Sequence, residues 1–420
     1  MYLGLDIDEN LVKMAADAEK KLAPVFKKYA DTSLFWTAQI IKAFGEVRLA
    51  STDFMEVTGY GYWDGGREKL EQVYAKLFGA EDALVRPQIM SGTHALALAF
   101  FGLLRPGDTF VSISGAPYDS LLTMIGLNGD SKNSLMAHGV KYELIELINN
   151  DFDIPTITKR LKQGGVKLVE IQRSRGYSSR DSLSIKKIEK VIAAIKKVDP
   201  NVIVMVDNCY GDFVESKEPT HVGADIIVGS LMKNLSGGIT RTGGYIVGKK
   251  DLVWQVSERF SAPGIGKDLG ANLNTNREMF MGLYYAPMAV ESSLKTMTLA
   301  AYLLQQLGYS ASPKADEART DIIQTIELGN KDSLVKFCQG MQKGMIIENF
   351  VVPEVAPMPG YPDDEIMASG SFITGSTIDL SCDAPIKPPY TCYMQGGITY
   401  TQGKLGVLIA LSNMLKNDNK

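Results

Sequence analysis

A lysine just beyond an apolar run is the residue here whose type and setting best suit covalent chemistry. Lys233 stands in Ile226-Ile227-Val228-Gly229-Ser230-Leu231-Met232-Lys233-Asn234, three residues after Ser230, with Gly237 and Gly238 following. An amine partly withdrawn from water can lose its proton, and a neutral amine attacks aldehydes. A solvated surface lysine is the ordinary alternative. Asp207 closes a second apolar run, Val204-Met205-Val206-Asp207-Asn208-Cys209-Tyr210. An ionised carboxylate there is costly unless a cation or strong donor meets it, although capping of the next segment competes as a reading. Ser91-Gly92-Thr93 precedes an apolar helical pattern, Ala95–Leu104. Backbone N–H groups at a helix start form a phosphate site together with the helix dipole, and Ser91 can equally be a simple N-cap. Tyr118 follows the strand pattern Thr109–Ser114, where its ring can lie on a flat cofactor or merely pack a turn.

Together these residues describe a site for pyridoxal 5′-phosphate. Lys233 would take the aldehyde, Ser91, Gly92, Thr93 and Ser230 the phosphate, Tyr118 the ring, and Asp207 the pyridine nitrogen, which must stay protonated for the ring to accept electrons. Two residues stay outside the set: Cys209, which is a small space-filler beside the ring rather than a reactive thiol, and His94, which can stack or donate near the phosphate or equally be a satisfied first-turn helix residue.

These side chains need a scaffold that brings distant segments to one edge. Residues 83–250 alternate short apolar runs with helical stretches, which predicts an α/β domain around a mostly parallel sheet. The strand candidates are Thr109–Ser114, Leu168–Gln172, Val202–Asp207, Asp225–Gly229 and Gly244–Gly248, with helices at Ala95–Leu104, Ile154–Lys162 and Ile185–Lys197 between them. Ligands of such sheets bind beyond the carboxyl ends of the strands. Residues 1–60 read as a helical arm ending in a glycine-rich aromatic loop, 61–290 as the large cofactor domain, and 291–420 as a smaller α+β domain. In the last of these, strand-like runs are expected at Asn349–Val355 and Ser371–Ser381, and helices at Lys331–Lys343 and Gln402–Leu415.

Composition narrows the classes. The 420 residues carry 44 Lys+Arg against 48 Asp+Glu, a formal net charge of −4, so nothing in the bulk charge favours nucleic acid. No apolar run reaches the about 20 residues of a bilayer span. The opening residues lack a secretory pattern, and a cytoplasmic protein is expected. Four cysteines (209, 338, 382, 392) and three histidines (94, 138, 221) sit at no metal-ligand spacing, so no metal site is expected.

Asp207 precedes Lys233 by 26 residues with one strand between them, an order that resembles the fold-type I pyridoxal-phosphate enzymes. Tyr60, Leu70-Glu71, Ala80-Glu81-Asp82-Ala83-Leu84 and Ser91-Gly92 look like the N-terminal half of the Cys/Met-metabolism family of cystathionine lyases and methionine γ-lyase. The runs Arg86-Pro87-Gln88-Ile89-Met90-Ser91-Gly92-Thr93-His94-Ala95, Ile171-Gln172-Arg173-Ser174-Arg175-Gly176-Tyr177, Val206-Asp207-Asn208-Cys209-Tyr210-Gly211 and Gln395-Gly396-Gly397-Ile398-Thr399-Tyr400 are similar to its "aluminium resistance protein" branch.

The resemblance implies a carbon–sulfur lyase for a sulfur-containing amino acid, cleaving at the β- or γ-position, with Lys233 as Schiff-base lysine and α-proton base. It also implies a homodimer or homotetramer with shared active sites, in which Tyr60 or Tyr62 reaches the neighbouring phosphate. The larger family has an arginine where Tyr62 stands. For the substrate carboxylate, the region that supplies a late arginine in the larger family offers Lys387. Arg173 and Arg175, after a strand, are the further candidates, unless they pair with nearby acids. An aldolase or aminotransferase on the same cofactor residues, or a non-catalytic cofactor-binding protein linked to metal resistance, are the alternatives.

Overall fold

Val- and Ile-rich runs buried on both faces form the centre of a seven-stranded sheet, as parallel strands covered by helices require. The computed structural model describes residues 4–60, 64–358 and 363–416. The strands of this sheet are β1 (Asp82–Arg86), β2 (Thr109–Ser112), β3 (Lys141–Leu144), β4 (Val166–Gln172), β5 (Ile203–Asp207), β6 (Ile226–Ser230) and β7 (Gly244–Gly248). Their order is β1-β7-β6-β5-β4-β2-β3. Only β7 runs antiparallel to its neighbours, β1 and β6. Every residue of β5 and β6 is buried, which is why both read as continuous apolar runs.

The helices are α1 (Glu9–Glu46), α2 (Gly65–Leu77), α3 (Gly92–Leu103), α4 (Asp119–Ile125), α5 (Ile154–Leu161), α6 (Ile185–Val198), α7 (Lys250–Phe260), α8 (Asn276–Gln306), α9 (Lys331–Lys343) and α10 (Tyr400–Leu415). Each of the crossover helices α3, α5 and α6 has a capping side chain where a helix start leaves amides unbonded: Ser91, Asp153 and Ser184 accept from the third residue onward. Among the described residues no helix is long and apolar enough to cross a membrane.

Two compact units result. One comprises Trp36–Leu235 and Ile239–Tyr284, the other the residues to Phe35, Ser236–Gly238 and those from Tyr285 onward. The sequence suggested limits near 60 and 290; the units part at 35/36 and 284/285, within α1 and α8, which are continuous helices of 38 and 31 residues.

The second unit holds a six-stranded antiparallel sheet of β8 (Ser310–Ser312), β9 (Ile323–Glu327), β10 (Ala356–Pro357), β11 (Asp364–Ser369), β12 (Ser381–Pro385) and β13 (Thr391–Gln395), ordered β8-β9-β13-β12-β11-β10. The strands expected at Asn349–Val355 and Ser371–Ser381 are not there. Phe350, Val351 and Val352 are exposed loop residues, while Ile378 and Leu380 are buried without ladder bonds, so the apolar pattern there reports packing rather than strand pairing.

Candidate active site

The carboxyl ends of β4, β5 and β6 lie side by side, with Gln172 paired to Asp207 and Asp207 to Val228. Asp207 is buried, and its Oδ1 accepts the Cys209 amide at 3.0 Å. Among the described residues no cation forms an ion pair with it. Burial pushes its carboxyl pKa up, with the Cys209 amide and then the Lys233 and Arg180 charges only partly opposing.

On β6 the last residue is Ser230, whose Oγ accepts the Met232 amide at 3.1 Å and turns the chain. Lys233 follows, half-buried, with Nζ 3.7 Å from the centroid of the Tyr210 ring, a cation–π contact. The sequence reading expected burial to leave this amine neutral. Burial does pull its pKa down, but Tyr210, then Cys209 and Tyr118, favour the charged form and the net direction is up. The cation–π contact with the Tyr210 ring favours the ammonium form.

At the start of α3 the Ser91 hydroxyl accepts the His94 amide at 3.1 Å, so the capping reading holds, while the Gly92 amide is left without an intrahelical acceptor. A β-carbon at Gly92 would lie 3.3 Å from both Cys209 Sγ and Ser230 Cβ, and 4.0 Å from Lys233 Cε, so the glycine lets the helix start close on the strand-end residues. The hydroxyls of Thr93 and Tyr118 are 2.6 Å apart, and the Tyr118 amide donates to Gln172 Oε1 at 3.1 Å. Six of the expected residues thus converge around Asp207: Ser91, Gly92, Thr93, Tyr118, Ser230 and Lys233. His94 accepts the Met90 amide through Nδ1, and burial raises the Cys209 thiol pKa well above its usual range, which fits the inert roles given to both.

The Arg173 assignment needs correction. Arg173 is fully buried, and its guanidinium donates to Asn208 Oδ1 (2.8 Å), Glu218 Oε2 (3.2 Å) and Glu215 Oε2 (2.9 Å). Asn208 Nδ2 in turn donates to Asp212 Oδ1 at 2.8 Å and Glu218 Oε2 at 2.9 Å, and Tyr245 OH donates to Asp212. Arg173 is the counter-ion of a buried network and is not placed to receive a substrate carboxylate. Arg175 is likewise buried, 3.7 Å from Asp181. Lys387 belongs to the other unit, where Nζ pairs with Asp363 at 2.6 Å. Tyr60 is 77% exposed, and Tyr62 lies outside the described residues.

Three contributors escaped the sequence reading. Tyr210 adopts φ +67°, a left-handed turn that puts its ring beneath Lys233, and nothing in its type announces that. Asn234 Nδ2 donates to the carbonyls of Tyr210 (3.1 Å) and Asp212 (2.8 Å) and so ties the lysine's neighbour to the Asp207 loop. Arg180, half-buried, donates to the carbonyls of Gln172 (2.8 Å) and Ser174 (2.6 Å) and brings positive charge towards Asp207.

Below this site, Glu170 on β4 is buried with neither carboxylate oxygen in a well-formed hydrogen bond, and burial first, then the Asp207 charge, pushes its pKa to about 7 from 4.5 against the opposing pull of the Ser112 hydroxyl and the Arg180 charge. The native state therefore binds an extra proton between about pH 4.5 and 7. Glu170's contribution is fully present below that window and is lost as pH rises through it. Urea unfolding at pH 5 and pH 7.5 should show wild type losing more stability across the window than Glu170→Gln; equal losses would contradict this.

Known proteins are similar to this chain over nearly its whole length. The methionine gamma-lyase family model matches residues 11–415. The Bacillus subtilis protein YnbB is 42% identical over 420 residues, covering 99% of both chains. The structure of a carbon-sulfur lyase involved in aluminum resistance from Clostridium novyi NT superposes with a TM-score of 0.94 at 42% identity, covering 98% of this chain and 97% of that one. The pyridoxal-5′-phosphate dependent protein YhfS from Escherichia coli shares the fold at a TM-score of 0.61 and 15% identity, over 90% of this chain and 95% of that one. The expected α/β architecture, the fold-type I fold with its mostly parallel sheet, is the one these relatives share. A match that takes in both compact units and every residue of the strand-end cluster is a match to the whole chain, which belongs to the methionine gamma-lyase family.

Proposed function

We propose that the chain is a pyridoxal-phosphate-dependent carbon–sulfur lyase acting on a sulfur-containing amino acid. The observation that carries this reading is the buried Asp207 carboxylate, in no ion pair among the described residues, one strand from the half-buried amine of Lys233. A ring with a protonated nitrogen at one end and an aldehyde beside it suits both. The donor set fits pyridoxal phosphate: Asp207 for the ring nitrogen, Tyr118 for the ring, the α3 start with Ser91, Gly92 and Thr93, together with Ser230, for the phosphate, and Lys233 for the aldehyde. When bound, this group supplies an electron sink for negative charge developing at the substrate's α-carbon.

The chain's residues supply the rest. Lys233 Nζ would hold the cofactor's aldehyde and, as a free amine, would take and return the α-proton. Tyr210 fixes the amine's position from below. Burial raises the Asp207 pKa, so a cation opposite it, such as a protonated ring nitrogen, would favour its ionised form.

We read the active form as a homodimer or homotetramer with shared sites, with the exposed Tyr60 available to a second copy. Its four cysteines are free thiols, as in a reducing cytoplasm. The cofactor-loaded protein, incubated with cystathionine, methionine and related amino acids, should release a keto acid and a thiol or thiol-bearing amino acid in equal amounts. Transfer of the amino group to an added keto acid without thiol release would indicate an aminotransferase, and no turnover on any of them would favour the non-catalytic reading.

A further inference from the structure

The second unit brings together three cysteines that stand 44 and 10 residues apart in the sequence, Cys338, Cys382 and Cys392. Their separation argued against a metal site, and the fold removes it. Cys382 on β12 lies opposite Met394 on β13, and Cys392 sits two residues before Met394, so all three side chains share one face of the sheet. Helix α9 packs against β12 and carries Cys338, with Met341 one turn on. All three thiols are fully buried, and their Sγ atoms lie within 4.8 Å of one another. Among the described residues no other group of three or more His, Cys, Asp or Glu donors comes close enough to share an ion.

The geometry points to a three-sulfur site for one soft, thiophilic cation of the Cu(I) class, held by Cys338, Cys382 and Cys392. Two thiolates on one ion at metal–sulfur distances of about 2.3 Å stand roughly 3.7–4.0 Å apart at angles between tetrahedral and trigonal. Cys338 and Cys382 are already 3.7 Å apart. The donors are all sulfur, and sulfur-only sets select Cu(I), zinc or iron–sulfur clusters over harder ions. Structural zinc is almost always four-coordinate. The cluster offers three ligands inside an apolar core whose other buried sulfur comes only from the methionines 297, 341, 345, 394 and 414, so a three-coordinate ion fits best. This site is independent of the cofactor chemistry proposed above.

The test is anaerobic titration of the reduced, cofactor-loaded full-length protein with Cu(I) in the presence of a competing chelator, both by direct incubation and by refolding with the metal. One equivalent should be retained, X-ray absorption should show about three sulfur neighbours near 2.3 Å, and the thermal unfolding midpoint should rise because the ion binds only the folded state. Cys338→Ala and Cys382→Ala should each lose the bound equivalent, whereas Cys209→Ala should keep it. Circular dichroism of each variant separates loss of binding from loss of fold. If a variant does not fold, the wild-type sulfur coordination number decides. Retention of no copper by either route, nitrogen or oxygen neighbours, or an equivalent that survives both cluster substitutions overturns the site.

Discussion

Lys233→Ala should abolish the visible absorbance of the cofactor-loaded protein and lower turnover by at least 10³-fold, roughly the upper part of the range expected from losing a positioned acid–base group, with the lost covalent attachment adding to it. Borohydride treatment of wild type, followed by peptide mapping, should place the reduced adduct on Lys233 alone. The amine also sits as a cation on the Tyr210 ring, 3.7 Å from its centroid, and alanine removes that contact as well. Lys233→Arg separates the two roles: it keeps a positive charge over the ring but no nucleophile. Its unfolding midpoint should stay near wild type while the adduct and the activity are lost. A reducible adduct on another lysine in Lys233→Ala would refute the assignment.

The core of the site was legible because strands covered on both faces must be apolar throughout. Asp207 and Lys233 therefore stood out as charges placed at, or just beyond, the ends of such runs, and one crossover connection separates strands that become neighbours in the sheet. The same physics hid the rest. Arg173 reads as a candidate for the substrate carboxylate because its partners, Glu215 and Glu218, lie 42 and 45 residues further on. A β-carbon at Gly211 would lie 2.6 Å from Arg173 Cδ, so its smallness serves a buried arginine from another strand end. The three clustered cysteines show the limit again, since spacing along the chain says nothing about residues that a helix and a strand pair deliver to one point.

The Arg173 reassignment makes the second large prediction. If this guanidinium received the substrate, Arg173→Met would raise KM and leave stability alone. In the structure it is fully buried against Glu218, with Glu215 and Asn208 as its other partners, and Glu215 also accepts the Ile185 amide at 3.0 Å while Glu218 accepts the Phe213 amide at 2.8 Å. Removing one member of a buried ion pair strands the charge left behind, which costs about 3–5 kcal/mol. Urea unfolding of Arg173→Met should show a loss of that order. Because Asn208 adjoins Asp207, kcat should fall in the fraction that still folds, with KM little changed, the pattern of a positioning residue. Arg173→Met combined with Glu218→Gln should recover part of the lost stability, since the stranded carboxylate is then neutral. A KM rise with unchanged stability would return Arg173 to the substrate.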